Sequence, residues 1–407
     1  MPPDRRVLGL AALPHRLPPK NGLATMANPN NCSSFCGDFE MRLVGLLLRL
    51  LLLMLGTAVG GSCIPDAWAV DSKQNTGSAA VRSNSKTNTV SQLSGQRTPK
   101  PEPRSRTFHF GYDARVNGLP GRARVRAWFP LPRSSHQQNV EILTQKVPAE
   151  SRIATETTYG NAILYCESNN SPTDSLPFSI SFLVQRQEVR GIDESCGPVE
   201  LTDRQRQRFL SANIRVPLKG RQLDLLSGVK LTGDALDIAR MLYNRVDDHV
   251  RYDKSSPGYG NGDVLWVCDS RFGNCTDFHS LFISWARAKN IPARFEIGFL
   301  LPPECGKGMI SGYHCWAMFH QDKKGWIPVD ISEADKHPEM KEYYFGNLSE
   351  NRVAFTTGRD IVLVPPQDGP PLNFFVYPYI EVNGRPWPQE KMELTFSYED
   401  VVAADTN

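Results

Sequence analysis

Between residues 273 and 331 the period of the apolar positions changes from helical to alternating. Phe278, Leu281, Phe282 and Trp285 recur at the i, i+3, i+4, i+7 spacing of one helical face, which predicts a helix beginning at Cys275. Residues 313–319 and 326–331 are short apolar runs of strand character. The polar stretch from His320 to Lys324 separates them and ends at Gly325, so the two runs are expected to form a hairpin. With Phe319 facing Gly325, that hairpin sets His314 directly opposite Asp330, Cβ atoms ~5 Å apart.

Upstream, Asp234 to Val250 presents Ala235, Ile238, Met241, Leu242 and Val246 on one face, a second helix for which Thr232 is the expected cap. A glycine-rich loop, Gly258-Tyr259-Gly260-Asn261-Gly262, leads from there through Trp266 to Cys275. It reads as a cleft wall, a mobile lid or a plain surface connection. Residues 293–301 read as a strand and 302–312 as a loop. Runs at 353–355, 360–365, 373–381 and 392–396 are expected strands that extend the same sheet, and Pro370-Pro371 argues against a helix among them. Before these elements, runs at 107–112, 123–129, 140–147, 162–166 and 178–184 have the spacing of a small β-sandwich over 106–190, joined to the Asp234 helix by a connection at 190–232. Arg122, Arg124 and Arg126 alternate there with Ala123, Val125 and Ala127, the pattern of a strand with one solvated face.

The N-terminal pattern is different. Met41-Arg42 opens an apolar run from Leu43 to Val59, interrupted by Arg49, and Ala67-Trp68-Ala69 comes after it; this describes a secretory signal over 41–69 and an exported protein, periplasmic or extracellular. An uncleaved membrane anchor is the rival, since the run is close to the ~17-residue minimum span. A lipoprotein site at Cys63 lacks the usual upstream aliphatic residue. Residues 1–40 read as untranslated or disordered, with Met41 or Met26 as the start. Residues 70–105, rich in Ser, Thr, Asn, Gln, Lys and Pro, read as a disordered linker.

Composition narrows the function classes. A chain of 407 residues has length for a sizeable core, and a net charge of +3 makes no case for nucleic acid or an acidic substrate. There is no glycine-rich phosphate loop, RNA-binding signature or repeat, and no cofactor is implied. Membrane contact is expected only through an uncleaved N-terminal segment, and the oligomeric state stays open. Of nine cysteines, Cys32, Cys36 and Cys63 precede the expected cleavage. A Cys268–Cys305 disulfide is compatible with export, but pairing is not readable from spacing.

The chemistry converges on three residues. A thiol at a helix start meets unpaired N–H groups and the positive end of the dipole, which favour the thiolate. Gly273 allows a sharp entry to the helix. A thiol, an imidazole and a carboxylate so arranged supply nucleophile, base and orienter. The bland reading is an inert buried cysteine. A zinc site is the sharper rival: Cys275 and His279 lie four apart on one helical face, and His314 or Cys268 would complete a tetrahedron. No Cys-x-x-Cys pair anchors such a site, and it leaves Asp330 unexplained. His279, Trp316 and Trp326 otherwise read as packed core residues.

Taken in order, Gly273-Asn274-Cys275-Thr276-Asp277-Phe278, Ile291-Pro292-Ala293-Arg294, His314-Cys315-Trp316 and Gly325-Trp326-Ile327-Pro328-Val329-Asp330 resemble the core of the transglutaminase-like superfamily. The resemblance implies an α+β fold: a papain/transglutaminase-like core over 205–400, its nucleophile helix packed on an antiparallel sheet, preceded by the small β-sandwich. The stretches Trp128 to Pro132 and Tyr159-Gly160-Asn161 resemble the N-terminal β-domain of secreted bacterial-type members. Cys275 is then the nucleophile, His314 the general base and Asp330 the orienting acid. Cys315 departs from the pattern, where a small residue such as Ala is usual, and strand alternation points it away from the face of His314. The Cys275 N–H is a natural oxyanion donor, with the Trp266 indole or the Tyr252 hydroxyl as candidate second donor. The implied activity is acyl transfer on protein or peptide amides through a thioester, ending in hydrolysis by a peptidase or deamidase. Protein-glutamine cross-linking uses the same triad, and a non-catalytic cell-surface binding module is the alternative from another class. Asp330→Asn is expected to preserve folding and slow the reaction.

Overall fold

The computed structural model describes residues 102–147, 150–171, 174–193 and 200–401. The expected signal over 41–69, the segment before it and all but the last residues of the 70–105 linker lie outside the described residues. Among the described residues no helix is long and apolar enough to cross a membrane.

Strict alternation builds the first sheet. Along Ser105–Leu119 every second side chain from Arg106 to Val116 is buried, with Phe108, Phe110, Tyr112, Ala114 and Val116 on one face. This strand lies third in a five-stranded antiparallel sheet, in the order Lys307–Ile310, Met392–Asp400, Ser105–Leu119, Asp174–Gln187 and Gln138–Lys146. A second five-stranded sheet runs Arg385–Pro386, Tyr379–Val382, Val125–Leu131, Ala162–Ser168 and Ser151–Thr155. The two sheets meet through aromatic rings, with Phe129 4.6 Å from Phe178 and 6.4 Å from Tyr112. Burial of all seven residues of Val125–Leu131 is possible because Arg126 is not on a wet face. Its guanidinium is buried against Glu381 at 3.0 Å and lies 4.6 Å from the Trp128 ring, which corrects the expected solvated stripe at that one position; Arg122 and Arg124 are exposed.

A four-stranded antiparallel sheet carries His314, in the order Gly325–Val329, Tyr313–Gln321, Ala293–Leu300 and Arg352–Thr357. Phe299 and Phe355 of this sheet pack on Phe110 at 5.1 and 5.6 Å, so the core continues from one sheet into the next. The helix Cys275–Ala288 lies on the four-stranded sheet, with the helices Ala235–His249, Val264–Ser270 and Ile331–Lys336 against it. It is buried on nearly every side, which explains why its sequence is apolar beyond one stripe. Asp234, not Thr232, caps Ala235–His249, accepting from the N–H groups of Leu236 and Asp237.

Two expectations about the C-terminal strands are corrected. Arg352–Thr357 does extend the core sheet, whereas Tyr379–Val382 and Met392–Asp400 join the first two sheets. Residues 360–365 form no strand and contribute only an isolated bridge between Ile361 and Leu372.

Candidate active site

Asn274 caps the helix by accepting from the Thr276 N–H, and Asp277 reaches back to the Asn274 N–H to close a capping box. Cys275 is therefore fixed as the first residue of the helix, where the leading N–H groups have no partner within the helix. Its thiol is almost entirely enclosed. Tyr313 ties this helix start to the neighbouring strand: its hydroxyl meets Asn274 Nδ2 and Thr276 Oγ1, each at 3.0 Å.

His314, next along that strand, donates from Nε2 to Asp330 Oδ2 at 2.7 Å, leaving Nδ1 to face Cys275. The hairpin beneath has a different register from the expected one. Gln321 pairs with Gly325 and Ala317 with Val329, so Asp330 lies beyond the last paired residue of its strand and His314 is not opposite it. The shift is two residues, which keeps both side chains on one face, and Asp330 covers the extra distance diagonally. Asp330 also caps the helix Ile331–Lys336, accepting from the Glu333 N–H at 3.1 Å. The Ser332 hydroxyl donates to it at 3.1 Å, and the Arg352 guanidinium donates at 2.7 Å. Arg352 is fully buried and has no mark in the sequence beyond standing just before the 353–355 run.

These contacts set the charges. Burial disfavours an ionised Asp330, but His314 and then Arg352 outweigh it and hold the carboxyl well below the usual carboxylate range. Burial likewise opposes a charged His314, yet the charge and hydrogen bond of Asp330, together with Cys275, raise the imidazole to about 10. For Cys275, burial pushes the thiol up, while hydrogen bonds with Cys315 and His314 and the His314 charge bring it well below its ordinary value. Both directions favour a thiolate–imidazolium pair.

Cys315 does occupy the other face of its strand, but that face packs on the helix Cys275–Ala288. Its sulfur lies 3.7 Å from both Thr276 Oγ1 and His279 Nδ1, and it hydrogen-bonds Cys275. Far from being remote, Cys315 sits beside the thiol. His279 accepts the Ile331 N–H on Nε2 at 3.0 Å, and burial holds it neutral at about 4. With both its nitrogens engaged by protein, His279 is not placed as a zinc ligand. Cys268, in the helix Val264–Ser270, and Cys305, in the loop before Lys307–Ile310, are unpaired thiols.

A cleft of about 710 Å³ opens onto Cys275 and His314. Tyr252, Asn261, Pro302 and Met309 stand on its walls. The glycine-rich loop is one of these walls and is clamped from both sides. Buried Asp277 accepts from the N–H groups of Gly260 at 2.7 Å and Gly262 at 2.9 Å. Buried Arg359 donates to the carbonyls of Gly262 at 3.1 Å and Asn261 at 2.8 Å. Gly260 has φ +87°, a conformation that other residues rarely adopt. Of the two candidate second oxyanion donors, only Tyr252 lines the cleft. Trp266 packs on Phe272 at 5.3 Å and against the backbone of Gly258, supporting the loop from outside the cleft.

Residues 226–331 match the transglutaminase-like superfamily. An uncharacterized protein of Haemophilus influenzae is 27% identical over 303 residues, covering 64% of this chain and 81% of that protein. A solved structure of a candidate cysteine protease from Cytophaga hutchinsonii covers 74% of this chain and 93% of its own, with TM-score 0.48 and 16% identity. A candidate protease from Parabacteroides distasonis covers 55% of this chain and 46% of its own, with TM-score 0.21 and 12% identity.

Proposed function

The chain belongs to the transglutaminase-like superfamily through its 226–331 core, and from that premise we propose that it catalyses thiol-dependent acyl transfer on protein or peptide amides, ending in hydrolysis. The observation that carries this reading is the 2.7 Å His314–Asp330 hydrogen bond with Cys275 enclosed against the other side of the imidazole.

The Cys275 thiolate attacks the amide carbonyl, and the developing oxyanion turns to the Cys275 N–H, with the Tyr252 hydroxyl as second donor. The His314 imidazolium gives its proton to the departing amine or ammonia as the C–N bond breaks, leaving a thioester and a neutral imidazole. Neutral His314 then takes a proton from water as it adds to the thioester, and Cys275 leaves as thiolate. Asp330 holds the imidazole tautomer and stabilises its cation throughout. Water is taken as the acceptor because, unlike a lysine amine, it needs no dedicated site beside the thioester. Cross-linking requires a site that holds an amine and excludes water. Export, read from the segment at 41–69, accords with a hydrolase acting outside the cytoplasm.

Iodoacetamide at neutral pH should alkylate Cys275, and Cys275→Ala should lose that fast labelling; an undiminished rate on another cysteine removes the assignment. Mass spectrometry of a glutamine-containing peptide, incubated with and without added amine, should give only hydrolysed product. An amine adduct would refute pure hydrolysis, and full biological activity in Cys275→Ala would favour a binding module.

A further inference from the structure

The first sheet ends at the cleft. Lys307–Ile310 is its edge strand, hydrogen-bonded on one side to Met392–Asp400 and, among the described residues, to no strand on the other. The pairing fixes which backbone groups face outward. The Asp400 N–H donates to the Gly306 carbonyl at 2.8 Å, and the register runs from Lys307 opposite Glu399 to Ile310 opposite Phe396. Antiparallel pairs alternate, so Gly306, Gly308 and Ile310 direct their N–H and C=O groups into the sheet. Lys307 and Met309 direct theirs to the free edge. Met309 and Ile310 line the cleft with Cys275, and Met309 is 63% exposed.

This edge is held in place. Buried Arg106 grips Asp400 at 2.7 and 2.8 Å and the carbonyls of Pro302 and Glu304 at 2.6 and 3.1 Å. The Asp400 carboxylate in turn accepts the Gly306 N–H at 2.6 Å. Chain continuity supplies the rest, because Ser311 and Gly312 lead directly to Tyr313 and His314. Even fully extended, the five residue-to-residue steps from Met309 to His314 span ~17 Å, so a strand alongside Met309 comes within a few residues of the thiol.

Resting on the acyl-transfer reading, we propose that the substrate is an extended polypeptide segment that adds as a strand to the free edge of Lys307–Ile310, pairing its backbone with the N–H and C=O of Met309 and so delivering a carbonyl to Cys275. Recognition is then chiefly of backbone, which suits a protein substrate with an exposed extended segment. A single small amide lacks the backbone that the edge reads.

The test compares two thiol reagents: iodoacetamide and a tripeptidyl acyloxymethyl ketone. Proline is tolerated at an edge position whose N–H points outward, so Met309→Pro removes the donor while leaving the pairing with Met392–Asp400. The second-order rate of Cys275 labelling by the peptidyl reagent should fall about tenfold relative to that by iodoacetamide. An unchanged ratio overturns the proposal. A measurement on the wild-type chain does not depend on the variant folding: after labelling, the Lys307 and Met309 amides should exchange with deuterium more slowly in the peptidyl adduct than in the iodoacetamide adduct. Equal exchange overturns the proposal, as does protection in the unlabelled protein that grows with its concentration, which assigns the edge to a second copy of the chain. Failure of iodoacetamide to label Cys275 at all is a separate result that removes the thiol reading, and the docking with it.

Discussion

Arg352 changes what Asp330 does. From the sequence, Asp330 is an orienter whose replacement by Asn leaves the fold intact; in the structure it is also the buried counter-ion of a fully buried guanidinium 2.7 Å away. Removing one member of such a pair leaves an uncompensated charge, at a cost of about 3–5 kcal/mol. Asp330→Asn should therefore lose stability of that order in chemical denaturation, as well as labelling rate. Adding Arg352→Met should restore much of the stability but none of the rate, because His314 still lacks its carboxylate. A single Asp330→Asn variant as stable as the wild type would show that Arg352 does not depend on Asp330. The charges of Cys275, His314 and Asp330 also predict a pH profile. The imidazole is raised to about 10 and the thiol lowered well below its ordinary value, so the ion pair exists between those limits. Alkylation of Cys275 should rise through an acidic limb as the thiolate forms, and the ion pair is lost on the alkaline side as His314 deprotonates near 10. Because the titrations are linked, each limb belongs to the pair. An acidic limb at the ordinary thiol position, ~8.5, would mean that His314 and Cys275 do not share charge.

At the level of elements, what was legible depended on whether the cause was local. The helix start at Cys275 is written in a capping box and an apolar face, both within a few residues, and the structure has it there. The hairpin was readable as a hairpin, but its register was not. The polar stretch from His320 to Lys324 marks a turn without saying where pairing resumes, and the observed pairing begins at Gln321, two residues from the expected arrangement. The exposed strand Ser151–Thr155 carries no buried face, so no alternation announced it. Nor did the glycine-rich loop reveal whether it moves, since the groups that answer this are Asp277 and Arg359, both distant in sequence. Their clamp predicts a rigid wall. Asp277→Asn keeps one acceptor oxygen and so loses at least one of three buried N–H bonds, a cost of about 1–3 kcal/mol. Hydrogen exchange at Gly260 and Gly262 should quicken in that variant, while amides of the Ala293–Leu300 strand keep their wild-type rates. Unchanged exchange in the loop would show that Asp277 does not hold it.

For the whole molecule, the C-terminal strands matter most. Local pattern marked 373–381 and 392–396 as strands but pointed them to the wrong sheet, because pairing with strands far away in sequence leaves no trace in a short window. The structure sets Met392–Asp400 between Ser105–Leu119 and Lys307–Ile310, with Phe108 opposite Asp400 and Val116 opposite Met392. Tyr379–Val382 pairs in the same way with Val125–Leu131. A cut at residue 205, where the family resemblance implies the start of a catalytic core, would therefore strip two sheets of their central strands and expose Phe299, Phe355 and Phe396, which pack on Phe110 and Tyr112. Burial of large aromatic side chains is worth ~1.5–3 kcal/mol each, so the loss of several exceeds the margin of a typical domain. The fragment 205–401 should show no cooperative thermal transition, whereas the fragment 95–407 should melt in one step monitored by circular dichroism and by tryptophan fluorescence. A cooperative melt of 205–401 alone, with Cys275 still alkylated at the wild-type rate, would mean that the N-terminal sheets are an accessory and that the active site is assembled without them.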